Sequence, residues 1–288
     1  MRKSAVEPFQ IQPKLARECW AKALGGCSAK LSKEHVISNS AIGDVVHFEA
    51  TKGVQQGIGA GSLKISVLCS VHNSALSEVD KEGAKLVNAV KAYRTTSSAK
   101  LLLSAGAPTE YRVEVNGRRF ERWAIKTFLN ATAASVGLAK GSLLPPIALH
   151  GGHILDYVFG RSRECPGAGL YWLNPATSPV EAGERNRKNL RVAPMSDDVE
   201  LLSGDGKSKG WFRFPVYGYF NIGGIELGMR ANITTLAYAD WHQIASNIAC
   251  GKALESGRLR PNEIIARPSF GVGQAERTHA ALAIHFAW

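Results

Sequence analysis

From about Ser74 onward, apolar residues recur at helical spacing. Leu76, Val79, Leu86, Val87 and Val90 share one face, while Lys81, Lys85 and Lys91 fall between them. The pattern predicts a helix that gives way to the polar run Thr95-Thr96-Ser97-Ser98. Ahead of it, residues 63–68 (LKISVL) alternate as a strand does. Beyond it, residues 111–115 alternate again and meet Asn116-Gly117, the strongest short-range mark of a two-residue hairpin. A second helix is predicted over residues 120–135, with Trp123, Ala124, Phe128 and Ala131 on one face. From Gly169 the pattern turns to short strands: GLYWLN, NLRVAP, GWFRFPVYGYFNI, IELGM and ALAIHFAW. Gly-Gly, Asp-Gly and Ser-Gly pairs punctuate them, and Gly223-Gly224 reads as a turn. The expected fold class is α+β, with a module over residues 1–98 and a β-rich α+β domain over 99–288.

Composition narrows the functional classes. In 288 residues, 45% are hydrophobic and 20% charged, a globular balance rather than a disordered one. The longest apolar stretch, over residues 136–155, is broken by Lys140, Pro145, Pro146, His150 and His153, so a bilayer-spanning segment of about 20 apolar residues is not expected. The first residues carry basic charge with no apolar run behind it, unlike a secretory leader. Membrane and export readings are set aside, and a cytoplasmic location is expected. The net charge of +11 favours a polyanionic partner. It is spread evenly: 13 Lys/Arg stand against 8 Asp/Glu up to Ser98, and 22 against 16 beyond it. Five cysteines, an odd number, argue against a disulfide framework. Cys19, Cys27 and Cys69 cluster early, whereas Cys165 and Cys250 stand alone.

Two kinds of donor separate by softness. Cys19, Cys27, Cys69 and His72 offer three thiolates and an imidazole, a closed set suited to tetrahedral structural zinc. Cys69 and His72 have ordinary chelate spacing. Seven residues separate Cys19 from Cys27, so a small loop must close that half; buried free thiols are the alternative. Glu34 and Asn73 offer hard oxygens suited to Mg²⁺ or Mn²⁺. His35 suits a general base, because an imidazole with an ordinary pKa near 6.5 is mostly neutral at neutral pH. As neighbours, Glu34 and His35 reach one site only at a strand end or bend. Asn73 also reads as a helix N-cap, and Asp80 as a helix-internal or surface residue.

The order Cys…Cys…Lys-Glu-His-Val-Ile…Leu-Cys-x-x-His-Asn-x-x-Leu resembles the zinc-stabilised HNH, or ββα-metal, endonucleases over roughly residues 15–92. The resemblance implies an amino-terminal ββα-metal module with a zinc knot. In that family an acidic-His pair ends one strand of a hairpin, and a zinc-binding pair precedes the Asn or His that opens the helix. By matching position, His35 becomes the base, Glu34 and Asn73 the ligands of a catalytic Mg²⁺ or Mn²⁺, and Cys19, Cys27, Cys69 and His72 the ligands of structural Zn²⁺. The implied activity is metal-dependent hydrolysis of phosphodiester bonds in nucleic acid, DNA being the expected form. It leaves a 5′-phosphate and a 3′-hydroxyl, in a setting such as restriction or phage defence. The sequence departs from the family at Glu34, where Asp is commoner, and at His72, where Cys is commoner. The family's central base-orienting residue has no clear counterpart between Gly43 and Leu68, where His47 is available.

Lys30 and Lys33 are the expected nucleic-acid contacts near this set. Arg112, Arg118, Arg119, Arg122 and Lys126 form a second basic group, and residues 184–191 (ERNRKNLR) a third; each reads equally as a charged face paired with nearby glutamates. The aromatic run at 210–220 fits a packed strand as well as a base-stacking surface. His150, His153 and Trp241-His242 lack companion ligands. Two rival readings stay open: a zinc-stabilised module that binds nucleic acid without cutting it, and a later domain whose ligand or partner is the main business. Self-association of the chain is also left open.

Overall fold

The computed structural model describes residues 19–38, 45–50, 54–59, 64–97, 110–133, 152–163, 169–172, 190–202, 208–222, 225–230, 263–266 and 281–288. In chain order these hold β1 (Glu34–His35), β2 (Val45–Ala50), β3 (Val54–Gly59), β4 (Lys64–Ile65), α1 (Ser70–Ala75), α2 (Ser77–Ser97) and β5 (Glu110–Asn116). There follow α3 (Gly117–Ala133), α4 (Gly152–Val158), β6 (Gly169–Trp172), β7 (Leu190–Leu202), β8 (Ser208–Ile222), β9 (Ile225–Arg230), β10 (Glu263–Ala266) and β11 (Ala281–Ala287). The 184–189 stretch, Gly223-Gly224, Cys165, Cys250, His150 and Trp241-His242 lie outside the described residues. Helix and strand are mixed, and among the described residues no helix is long and apolar enough to cross a membrane.

Strands β1 and β4 pair antiparallel, and the ribbon they form runs on to a bridge between Leu31 and Cys69. Ser32 N donates to Leu68 O at 2.8 Å and Ser70 N to Lys30 O at 3.2 Å, closing that end. Helices α1 and α2 follow directly. The helical region starts at Ser70, earlier than the apolar pattern alone marks, and α2 runs through Ser97, so the Thr-Thr-Ser stretch is its last turn. Leu76, Val79, Leu86, Val87 and Val90 are all buried, as their spacing predicts.

Between the two ribbon strands in chain order come β2 and β3, which pair antiparallel at one edge of a six-stranded sheet ordered β3-β2-β7-β8-β9-β6. Within it β2 pairs in parallel with β7, through Val46↔Leu190, His47↔Arg191 and Phe48↔Val192. A three-stranded sheet ordered β10-β11-β5 is also part parallel, β11 pairing with β5 from Ala281↔Glu110 to Ala287↔Asn116.

Asn116-Gly117 does not turn a hairpin. Strand β5 passes straight into α3, and Asn116 Oδ1 accepts a hydrogen bond from Arg119 N at 3.0 Å, the N-cap bond of that helix. Both a hairpin and a helix start favour Asn, and here the helical periodicity that follows decides between them. Glycine is needed at the next position for closeness: a Cβ on Gly117 would lie 2.6 Å from the Trp288 ring.

Helix α3 is the centre of the core, with Phe120, Trp123, Ala124, Phe128, Leu129 and Ala131 buried. Helix α2 crosses it at Gly83, where a Cβ would come within 2.3 Å of the Trp123 ring. Several polar groups of α3 are also buried and matched. Lys126 Nζ meets Asp80 Oδ2 at 2.7 Å. Glu121 accepts hydrogen bonds from the Tyr157 hydroxyl and, at 2.9 Å, from Leu170 N. Arg122 lies over the Tyr157 ring and donates to Ser162 O, and the exposed Arg119 faces Glu78. Arg122 and Lys126 of the second basic group are thereby engaged inside the fold, while Arg112 and Arg119 stay exposed.

Two substitutions test this packing. Gly83→Ala is expected to lower stability by about 1–3 kcal/mol in urea denaturation, because the indole has to move. Lys126→Met strands the Asp80 carboxylate and is expected to cost about 3–5 kcal/mol at neutral pH. Burial, opposed by the Lys126 charge, raises the Asp80 pKa above its ordinary 3.8. A raised carboxyl contributes stability below the unfolded value and loses it as pH rises through the folded one. The Lys126→Met penalty should therefore shrink at acid pH, measured against wild type at each pH.

Candidate metal centre

The loop between Cys19 and Cys27 is a tight turn. Residues Lys22–Leu24 form one 3₁₀ turn, Gly25 N donates to Lys22 O at 3.0 Å, and Trp20 N is fixed to Val67 O at 3.0 Å. Gly25 and Gly26 then take φ values of 74° and 67°. A Cβ on either would meet nothing within 4 Å, so the requirement there is conformational. This turn absorbs the long spacing and brings the Cys27 thiol back beside Cys19.

The other two donors come from the ribbon–helix junction. Cys69 sits extended at the N-cap of α1, and one helical turn carries His72 onto the same side. His72 Nδ1 lies 3.4 Å from Cys19 Sγ, 3.5 Å from Cys27 Sγ and 3.2 Å from Cys69 Sγ. All four donor atoms lie within 4.8 Å of one another. A tetrahedral zinc with ordinary bond lengths needs N···S separations of about 3.5 Å and S···S separations of about 3.8 Å. The donor set and its spacing fit one four-coordinate ion such as zinc.

The protein's own electrostatics leave a role for a cation. Burial pushes the Cys19 thiol up to about 12 and raises that of Cys27. At Cys69 burial acts the same way, but hydrogen bonds from the His72 and Ser28 amides, with the Ser28 and Cys19 side chains, outweigh it and bring the thiol down to about 6. A bound cation would displace the protons that burial otherwise retains. Cys19, Cys69 and His72 are buried, whereas Cys27 is exposed. Phe159, just past α4, walls the knot: its ring meets His72 edge-on at 5.2 Å and Trp20 at 5.8 Å.

The residues expected to do chemistry are spread over the ribbon, α1, α2 and β2. His35 ends β1, half-buried, opposite Lys64, and a bend at Val36-Ile37 follows. Burial, and then the nearby Lys64 charge, hold the His35 imidazole below its ordinary 6.5, which favours the neutral ring. Glu34 stands opposite the buried Ile65 in register, and its side chain lies outside the described residues. Asn73 is half-buried inside α1, its N donating to Cys69 O at 2.9 Å; Cys69 occupies the N-cap position that Asn73 suggested for itself. Lys30 and Lys33, just ahead of β1, are exposed. His47 lies on β2 opposite Gly57 and Arg191, within the six-stranded sheet. Asp80 is helix-internal and paired with Lys126.

Sequence reasoning missed three neighbours. Asn130, fully buried on α3, accepts from Trp20 Nε1 at 2.9 Å and donates to Val36 O at 3.2 Å. It thus links the residue after Cys19 to the residue after His35. Phe159 and Asn130 leave no local signal, since each acts across a tertiary contact. Lys64 was legible in principle from the alternation of LKISVL. Comparison with protein-family models, curated proteins and solved structures finds no match for the chain.

Native mass spectrometry of the purified protein is expected to show one zinc ion per chain, absent from Cys69→Ser. Protons compete for the thiolates, so the ion should leave as pH falls toward about 5. Asn130→Ala should cost about 2–4 kcal/mol, since it strands two buried partners.

Proposed function

We propose that the chain is a metal-dependent endonuclease of the HNH type, cutting phosphodiester bonds in nucleic acid, with DNA as the first substrate to test. One observation carries the reading. Cys19, Cys27, Cys69 and His72 gather at the base of an antiparallel ribbon whose first strand ends in Glu34-His35 and whose second runs directly into a helix bearing Asn73. Strand, knot and helix in that order are what the resemblance of the sequence to zinc-stabilised HNH modules implies. The knot would be structural, because all four positions of a tetrahedral ion are filled by protein.

The chemistry follows from the residues. A neutral His35 can take the proton from an attacking water, and its depressed pKa keeps it in that form. Glu34 and Asn73 would hold a Mg²⁺ or Mn²⁺ ion, which offsets charge on the phosphate and on the departing 3′ oxygen. Because Glu34 and His35 are strand neighbours, this needs the strand end and the bend at Val36-Ile37 to turn both toward one site. Lys30 and Lys33, exposed near the ribbon, would hold the polyanion by charge. The net charge of +11 agrees with such a partner.

Plasmid incubated with the protein and Mg²⁺ or Mn²⁺ is expected to be nicked or linearised. His35→Ala should slow this by about 10²–10⁴-fold while its zinc content stays at the wild-type level. Binding of duplex without cleavage by zinc-loaded protein, in either metal, would instead establish a non-cutting nucleic-acid module.

A further inference from the structure

Across the ribbon from His35 stands Lys64. Directly opposed residues of an antiparallel pair project from the same face, with Cβ atoms about 5 Å apart. The neighbours of Lys64 fix which face this is. Ile65 is buried in the core, so its strand neighbour Lys64, which is exposed, faces outward. Lys64 is exposed, and Lys33, two residues before His35 on the other strand, is exposed as well. A histidine that addresses a phosphate from this face has a flexible ammonium beside it.

We infer that Lys64 is a catalytic residue of the proposed nuclease, its ammonium gripping a non-bridging oxygen of the phosphate that His35's water attacks. The inference rests on the endonuclease reading. A lysine in this place does two things. It holds the phosphate against the base, and it offsets the extra negative charge that the phosphate oxygens gain as the fifth bond forms. The second contribution is larger in the transition state than in the bound substrate, so its loss appears in kcat rather than in KM. Lys30 and Lys33, by contrast, are placed to meet flanking phosphates, whose loss appears in KM and in the salt dependence.

The test compares wild type, Lys64→Ala and Lys64→Arg on plasmid and on a short DNA duplex, with zinc content as the control for folding. Cleavage is followed in Mg²⁺ and Mn²⁺, and duplex affinity by fluorescence anisotropy in Ca²⁺. Lys64→Ala is expected to lower kcat by roughly 10–100-fold with affinity changed less than about threefold, and Lys64→Arg to recover most of the rate. If wild type cleaves and Lys64→Ala cleaves as fast, or loses only affinity, Lys64 is not a catalytic residue and the nuclease reading survives. If wild type cuts neither substrate in either metal, the nuclease reading falls and the role of Lys64 with it.

Discussion

Three sulfur atoms and one imidazole nitrogen crowded into a sphere a few ångströms across are the constraint from which the first part of this fold is built. Thiolates at that separation repel one another, and thiols there satisfy few polar needs. The arrangement is favourable chiefly around a soft cation. The local structure serves it: a 3₁₀ turn and two left-handed glycines on one side, a strand-to-helix junction on the other. Because the donors come from two segments, the same cluster sets where the ribbon ends and where α1 begins. A ribbon this short, with two ladder pairs and one bridge, has little stability of its own.

The knot is not free-standing. Trp20 and Val36 both bond to Asn130, and Phe159 closes over His72, so elements from well beyond the ribbon complete its surroundings. Helix α3 is the shared partner. Its apolar side chains pack against α2 and the sheets, while Glu121, Lys126 and Asn130 each satisfy a buried group elsewhere. Buried polar contacts of this kind add less to stability than to uniqueness of packing, since any shift of α3 leaves several groups unmatched at once.

What could be read from the sequence was local. The helical stripe of Leu76, Val79, Leu86, Val87 and Val90, the face of Trp123 and Phe128, and strands β6, β8, β9 and β11 follow from periodicity, which neighbouring residues encode, whereas β10 and the second half of β7 were not read from it. The four soft donors were also legible, because ligand chemistry restricts which residues can serve. Pairing partners were not. Asn116-Gly117 carries the same signal whether it caps a helix or turns a hairpin, and the true neighbour of β5 lies in β11. Likewise nothing near residues 45–59 announces that their hairpin joins β7 in parallel. Asp80 looked like a surface or helix-internal carboxylate; its burial depends on Lys126, a residue of another helix.

Strand β11 occupies the middle of its sheet, between β10 and β5, although it is made long after β5. A ribosome therefore releases β5 with one hydrogen-bonding edge waiting for residues 281–287, and β2 in the same condition until β7 emerges. Both pairings are parallel and distant, the class of contact that forms slowly because a long loop must close first. Nascent chains of this protein carry unpaired strand edges until β7 and β11 have been made, and such edges are the surfaces on which incompletely folded chains associate.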